Sequence, residues 1–289
     1  RAYTAAAKGA LEQAVIAELL PAVRLSLTVD YGLYGKVSRL AEDCAGTVLS
    51  LDWGVCSRAD LLSRVHWLIT SGHRTGFEAE RARWVDTSLA EAERHELRES
   101  AASSSDAAET LWRLERMLNN DRDIRNVDFS AWDLVRAAML TRCGLALGWL
   151  TEEETWDTLA ILDRGLRERY RSWTQVSESF RLARWYWNST SGKDEHFNDL
   201  HDLNRSLVLL SPDGPWGLID WNVETPEPSF LILDDLLDAG VAAPLSAGDR
   251  KRATHWERWI DDQVIARGQH RPQHFGTHAD QHHRFAKRA

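Results

Sequence analysis

Apolar residues recur at helical spacing along most of this chain. Residues 5–20 carry them three to four positions apart, which predicts an amphipathic helix near the start. A second helix is predicted after Ser57, because Asp60 stands three positions further on as in a capping box, and it would end near Gly72. Residues 78–100 are heavily charged and favour an exposed helix. The pattern is therefore that of a mainly helical protein.

The clearest pattern begins at Ser130, which can cap a helix while Asp133 completes the box. This helix is apolar on nearly all sides, so we expect it to be the most buried one. Thr151 and Glu154 form another capping box, and Ser172 begins a third helix. Three capped helices with short connections predict an antiparallel helical core.

The period changes after this core. Two short apolar runs flank a Ser-Pro-Asp-Gly-Pro turn, which predicts a β-hairpin. The predicted fold class is mainly α, a single helical domain with a short β-hairpin near residues 206–222. The chain is expected to divide into an N-terminal helical segment (residues 1–50), a helical core (51–222) and a C-terminal extension with a basic, His-rich tail (223–289).

Bulk properties narrow the class of protein. No apolar run approaches the ~18–20 residues that a bilayer span requires, and no secretory signal is visible. Three scattered cysteines (Cys44, Cys56 and Cys143) do not make a disulfide framework or a closed zinc site, so we expect reduced thiols in a cytoplasmic protein. Because the chain begins at Arg1 rather than methionine, the sequence leaves open whether a leader peptide has been removed.

The charge is unevenly distributed. The whole chain carries a formal charge of −9, whereas residues 251–289 contain eight basic and four acidic residues. The acidic body repels phosphate backbones, which argues against broad nucleic-acid binding. The basic tail could contact an acidic partner or the body of the same chain.

A set of spaced motifs marks residues 131–187. It comprises an Ala-Trp-Asp-Leu-x-Arg opening, a glycine before a Glu-rich helix start, a Ser172-Trp173 joint and a closing aromatic-x-Trp. With Trp53-Gly54, Gly72-His73-Arg74 and a Ser/Pro/Trp turn at 211–216, these motifs resemble the bacterial family named domain of unknown function 1266. Ala183 departs from the family, in which we expect glycine. The resemblance covers residues 51–221; it implies a helical fold and carries no established activity.

Charged residues on the buried helix are the first candidates for a site. Asp133 and Arg136 lie three positions apart, so they point to one side of the helix. Buried charges must be paired, and the simplest interpretation is a structural ion pair with Arg136 as the leading partner. The alternative is a polar pocket in which Arg136, or Arg142 on the other side, binds an anionic ligand.

His73 and Arg74 follow Gly72 at a predicted helix end, where a basic pair can satisfy the last carbonyls. If this loop folds over the Asp133 side of the buried helix, His73 and Asp133 would form a proton-transfer pair. We therefore expect any functional site to lie between the His73 loop and the Asp133 helix.

Tryptophans and tail histidines are weaker candidates. Most of the 14 tryptophans fall on helical apolar faces and indicate core packing, although Trp185 lies near an element end and could line the rim of a pocket. In the tail, only His278 and His282 have the spacing of a helical metal pair. A solvated basic tail is the simpler interpretation, and no cofactor is predicted.

Two classes of function remain open. The absence of a G-x-S-x-G elbow, a P-loop and a G-x-G-x-x-G turn favours a cytoplasmic bacterial binding or regulatory module without catalysis, for example in a conflict or stress system. The alternative is an enzyme that acts on a small anionic substrate in a polar pocket around Asp133, Arg136 and His73. The expected partner is a protein or a small anionic ligand, and the sequence leaves the oligomeric state open.

Overall fold

The computed structural model describes residues 39–188, 192–232 and 245–265. Its helices in chain order are α1 (Arg39–Thr47), α2 (Arg58–Thr70), α3 (Gly72–Arg83), α4 (Thr87–Ser100), α5 (Ser105–Asn119), α6 (Ser130–Ala146), α7 (Glu152–Arg169), α8 (Trp173–Asn188), α9 (Gly192–Leu210), α10 (Pro215–Leu218) and α11 (Ala247–Ile260). Short π-helical turns follow α1 (Val48–Asp52) and α11 (Asp261–Ile265), and a 3₁₀ helix follows α5 (Asp121–Asn126). The predicted helix at residues 5–20 lies outside the described residues.

The predicted β-hairpin near residues 206–222 is wrong. Residues 206–210 are the last turns of α9, the short helix α10 follows, and the described part of the chain contains no strand. A four-residue apolar run fits a strand and a helix equally well, so periodicity could not separate them. The Ser-Pro-Asp-Gly turn continues helical bonding, because the Gly214 N–H donates to the Ser211 carbonyl over 2.8 Å and Leu218 donates to Gly214 over 2.9 Å.

The three consecutive helices expected from residue 130 onwards are confirmed as α6, α7 and α8. The Thr151 and Glu154 box also forms, because each backbone N–H donates to the other side chain, over 2.9 and 3.1 Å. The box expected at Ser130 does not form as predicted. Asp128 accepts the Ser130 N–H over 2.8 Å, and the carboxylate of Asp133 is bonded to a different helix.

The expected single helical domain consists of two compact units. The first takes its described residues from Arg1–Thr70, Val135–Gly165 and Val223–Ala289, and the second comprises Ser71–Leu134 and Leu166–Asn222. In the first unit α2 and α6 pack closely, since a Cβ added at Gly144 would overlap the Leu61 side chain.

An aromatic cluster forms part of the core of the second unit. Phe77 of α3 stacks on Phe129, with ring centroids 4.2 Å apart, and Tyr186 of α8 meets both rings edge-on. All three side chains are fully buried. This cluster fixes α3 and α8 next to the start of α6, where the candidate site lies.

Candidate functional site

The site is built around a break between two helices. α2 ends at Thr70 and α3 begins at Gly72, whose φ of +63° lies in the left-handed region that glycine tolerates. A Cβ at Gly72 would overlap the Asp133 carboxylate, and even the farther carboxylate oxygen would be only 2.8 Å away. Glycine is therefore required here both by backbone conformation and by the close approach of Asp133.

The Asp133 carboxylate accepts four hydrogen bonds at this break. Oδ1 accepts the His73 backbone N–H over 2.8 Å and faces His73 Nδ1 at 2.9 Å. Oδ2 accepts the Arg74 backbone N–H over 3.0 Å and the Arg74 Nη1 over 3.1 Å. The carboxylate is fully buried, so these four donors replace its hydration. We call this arrangement of Gly72, His73, Arg74 and Asp133 the carboxylate clamp.

The electrostatics of the clamp favour a charged carboxylate. Asp133 lies at the N-terminus of α3, where the helix dipole and the backbone N–H groups of the first turn attract negative charge. An ionised oxygen can only accept, so His73 Nδ1 carries a hydrogen and donates it to Asp133. Arg74 supplies a guanidinium to Asp133, which confirms the expectation of a buried aspartate bonded to an arginine; the sequence analysis had named Arg136 as the leading partner.

The placement of the basic pair differs from the expectation. His73 and Arg74 begin α3 and present N–H donors to a carboxylate, whereas the sequence suggested that they satisfy carbonyls at the end of α2. The difference arises because Gly72 follows the end of α2 and is also the first residue of α3, and a glycine in the sequence indicates the end of a helix but not the start of the next one.

Aromatic rings enclose His73. The imidazole meets Trp187 edge-on with centroids 5.1 Å apart, and Trp132 similarly at 6.4 Å. Only 7% of His73 is exposed. Trp187 also lies under Arg113, whose guanidinium carbon is 5.2 Å from the ring centroid. His73 is therefore held by packing as well as by the clamp.

A second carboxylate with restricted exposure, that of Glu80 on α3, was not singled out by the sequence analysis; 21% of its side chain is accessible. Glu80 accepts the Tyr186 hydroxyl over 3.0 Å and Arg113 Nε over 3.1 Å. Burial raises the pKa of Glu80, while Arg113 opposes the rise. Burial and the neighbouring Glu80 likewise raise the pKa of Tyr186 far above its usual range. No local motif marks this cluster, because its members come from three different helices.

Arg122 is a further residue that the sequence analysis missed. It has φ +57° and makes a bidentate pair with Asp199 over 2.6 and 2.8 Å, together with a 2.6 Å bond to Glu195. Its guanidinium lies 4.4 Å from the Trp185 ring centroid. The Asn/Asp-rich run at residues 119–126 is a signal for left-handed backbone, because short polar side chains tolerate that conformation. Arg122 thereby ties the start of α9 to the rest of the second unit.

α9 has an inverted distribution of polarity. Its inner face holds buried polar residues: Asp202 accepts bonds from Arg184 and Arg205, both over 2.9 Å, and Ser206 bonds Ser177 over 2.6 Å. Its outer face exposes five large apolar side chains, each between 52% and 65% accessible: Phe197, Leu200, Leu203, Leu207 and Val208. We call these five residues the α9 face. A surface helix normally has the opposite arrangement.

A shallow cleft of about 290 Å³ also lies in the second unit, lined by Glu78, Arg81, Ala82, Trp84, Val85, Met117 and Arg125. Its two guanidinium groups are bonded within the chain: Arg81 pairs with Glu78 and donates to the Arg125 carbonyl, and Arg125 donates to the Met117 carbonyl. The two arginine side chains that line the cleft are thus already bonded to groups of the same chain.

The remaining candidate residues have different environments. Arg136 lies over Trp53, with 4.2 Å from guanidinium carbon to ring centroid, and Arg142 is buried. Trp185 is almost fully buried, so it does not line the rim of a pocket as suggested. His278 and His282 lie outside the described residues. Within the described ranges, no group of three or more His, Cys, Asp or Glu residues is placed to hold a metal ion.

These features define a helical domain in which two separated motifs, Gly-His-Arg and Ala-Trp-Asp, meet in one buried clamp. The chain belongs to the family described as "Protein of unknown function (DUF1266)", whose profile matches residues 48–221. This confirms the family and nearly the same bounds as those expected from the motifs.

Two uncharacterized proteins of Escherichia coli (strain K12) are similar to this chain. YbeR is 30% identical over 156 residues, which cover 54% of this chain and 62% of YbeR. YbeU is 26% identical over 166 residues, which cover 57% of this chain and 65% of YbeU. The aligned region thus spans less than two thirds of either relative. No solved structure matches the chain. No described helix is both long and apolar enough to cross a bilayer.

Proposed function

We propose that this protein is a non-catalytic module that binds another protein chain, and that its contact surface is the α9 face. The observation that carries the proposal is the inverted polarity of α9, whose outer side is apolar while its inner side is bonded through charged residues. Contiguous exposed apolar surface of this kind is typical of an interaction site.

The inner contacts explain why α9 can keep its apolar side outward. The Arg122–Asp199 pair and the Arg184–Asp202 pair hold the helix through its polar side. Asp202 is buried and its partners would lose their bonds if the helix turned over, so rotation would strand charges in the core. The orientation is thus fixed before any partner binds.

The carboxylate clamp supports a structural rather than a catalytic role for Asp133. Both oxygens are engaged by backbone N–H groups of α3, and the carboxylate has no exposed surface. These bonds stabilise the start of a helix, which is the usual role of an N-capping carboxylate. The clamp therefore maintains the scaffold that presents α9.

The partner is expected to be an α-helix with its own uncharged apolar stripe, since the α9 face contains no acidic or basic residue. The acidic body disfavours nucleic acid as a partner. Cys56 and Cys143 are buried thiols outside any disulfide, which fits a reducing compartment, and we propose a cytoplasmic location.

Site-specific photo-crosslinking tests the proposal. Benzoylphenylalanine at Leu203, in cells that make the protein, should yield a discrete protein adduct of defined mass. The matched control is the same group at Leu89 of α4, which is 62% exposed but lies off the α9 face. Equal adduct yields from both positions, or none from Leu203, would contradict a binding role for α9.

One observation favours a second candidate, an enzyme with His73 as general base. The 2.9 Å contact of His73 Nδ1 with a buried carboxylate is the arrangement that orients such bases. A general base must be reachable by substrate, whereas His73 is only 7% exposed. Diethyl pyrocarbonate should therefore modify His95, whose side chain is 78% exposed, much faster than His73. Equally fast modification of His73 would favour the enzyme.

A further inference from the structure

Resting on the proposed function, we infer that the helix that covers the α9 face is α9 of a second copy, packed parallel and in register. A pair of identical helices related by a twofold axis presents the same surface from both sides, so the α9 face must be complementary to itself. Four properties of the α9 face support this self-complementarity: its spacing, its central polar residue, its charge and its area.

The spacing is that of a two-helix seam. Phe197, Leu200, Asn204 and Leu207 follow one another at intervals of three, four and three residues, which is the alternation of heptad a and d positions. All four are exposed on α9, and Leu203 and Val208 flank them. An isolated helix that only met water would have no reason to repeat this pattern.

Asn204 indicates the orientation of the pair. Its amide has both donors and an acceptor, so two Asn204 side chains that face each other can bond reciprocally. This meeting occurs only when the helices run parallel in register, and a single asparagine at an a position is a known determinant of such pairing. In an antiparallel pair Asn204 would face an apolar residue, and its amide would be buried without a partner.

Charge favours a second copy as well. The chain carries −9 overall, so two copies repel each other unless the contact surface is neutral. Within residues 195–210 of α9, the exposed positions (196, 197, 200, 203, 204, 207 and 208) contain no Asp, Glu, Lys or Arg. A partner of opposite charge would instead be expected to meet acidic residues at the contact.

The area suits a reversible dimer. Five side chains of this size, each more than half exposed, offer on the order of 500 Å² per copy and 1,000 Å² for the pair, the lower limit for a specific interface. We therefore expect dimers that dissociate on dilution rather than an obligate complex.

Sedimentation equilibrium of the purified full chain tests the stoichiometry. The wild type should show a monomer–dimer equilibrium, and Leu200→Glu with Leu207→Glu should weaken it by on the order of tenfold or more. Val85→Glu with Leu89→Glu is the matched control, since both residues are exposed apolar positions off the α9 face. Circular dichroism of both variants checks that they fold. A wild type that stays monomeric, or a dimer that tolerates the α9 changes, overturns the inference.

Cysteine crosslinking tests the register independently. Asn204→Cys should form a disulfide-linked dimer on mild oxidation, because residues at the same height of a parallel seam come within bridging distance. Leu89→Cys should stay monomeric. Failure of Asn204→Cys to crosslink overturns the parallel pair. A monomer in which a cysteine on the α9 face is shielded from thiol reagents also overturns it, because residues of the same chain would then cover the face. If the purified chain is monomeric but Leu203 still crosslinks another protein in cells, only the second copy is refuted and the proposed binding function survives.

Discussion

Replacing Asp133 by alanine removes the acceptor for four donors at once. Two of these donors are backbone N–H groups in the first turn of α3, where helical geometry supplies no carbonyl acceptor one turn earlier. Stranding a buried donor costs about 1–3 kcal/mol, and breaking a buried ion pair by deleting one member costs about 3–5 kcal/mol. The Arg74 side chain is 17% exposed and can turn partly to water, so we expect a loss of about 3–5 kcal/mol.

Asp133→Asn separates the loss of charge from the loss of volume. The amide keeps one accepting oxygen, but its NH₂ group would face donors of either His73 or Arg74. We expect a smaller loss of about 2–3 kcal/mol. Asp86→Asn is the matched control, because Asp86 also accepts two backbone N–H groups at a helix start but is exposed. Asparagine caps as well as aspartate there, so the control should not change stability measurably.

Urea unfolding followed by tryptophan fluorescence gives the free energies, and hydrogen exchange at the His73 and Arg74 amides locates the effect. Both amides should lose protection in Asp133→Ala while the middle of α3 keeps it. An Asp133→Ala protein within about 1 kcal/mol of the wild type would refute the clamp as a major source of stability. Unchanged protection of the two amides would do so as well, even if the protein were destabilised.

Two further predictions concern the second unit. Gly72→Ala should destabilise the protein by about 2 kcal/mol or more, because the new methyl group overlaps Asp133 and the residue has a left-handed φ. Gly76→Ala is the control: no atom lies near the added methyl group in the middle of α3, so this change should be neutral or stabilising. The denaturant midpoints of the two variants measure the difference. Burial raises the pKa of Tyr170 to about 12 and that of Tyr186 further. These groups keep their protons in the folded state after the unfolded chain has lost them, so their stabilising contribution is complete below pH ~10 and declines as the pH rises towards the folded pKa. Unfolding free energies measured between pH 9 and 12 should fall, and Tyr170→Phe should reduce the size of that fall. An equally steep decline in the variant would argue against a contribution of Tyr170 to the pH dependence.

Local chemistry explains what could be predicted along the chain. The starts of α7 and α8 follow from Thr151, Glu154 and Ser172, because a capping bond joins residues three positions apart and needs no tertiary contact. The burial of Asp133 could be predicted because the residues of α6 are apolar on nearly all sides of the helix. The family motifs were visible for the same reason, since each is a short run of adjacent residues.

The partners of Asp133 could not be predicted in the same way. His73 and Arg74 lie about 60 positions from Asp133, and only the packing of α3 against α6 brings them to its carboxylate. The nearer Arg136 was favoured because sequence spacing shows neighbours on one helix and nothing beyond it. The mistaken hairpin has a related cause, since a four-residue apolar run takes its conformation from the longer helix that contains it.

The spacing of Phe197, Leu200 and Leu207 is enough to align these residues along one side of a helix, but the sequence analysis predicted no helix at residues 192–210, and the stripe became visible only with the structure. Which side of α9 meets water depends on contacts with other helices. Hydrophobicity alone would have turned the stripe inward, but the bonds of Asp202 to Arg184 and Arg205 hold the polar side against the body. A buried ion pair depends on partners from other helices, so the pattern of one helix could not reveal that its usual orientation would be reversed.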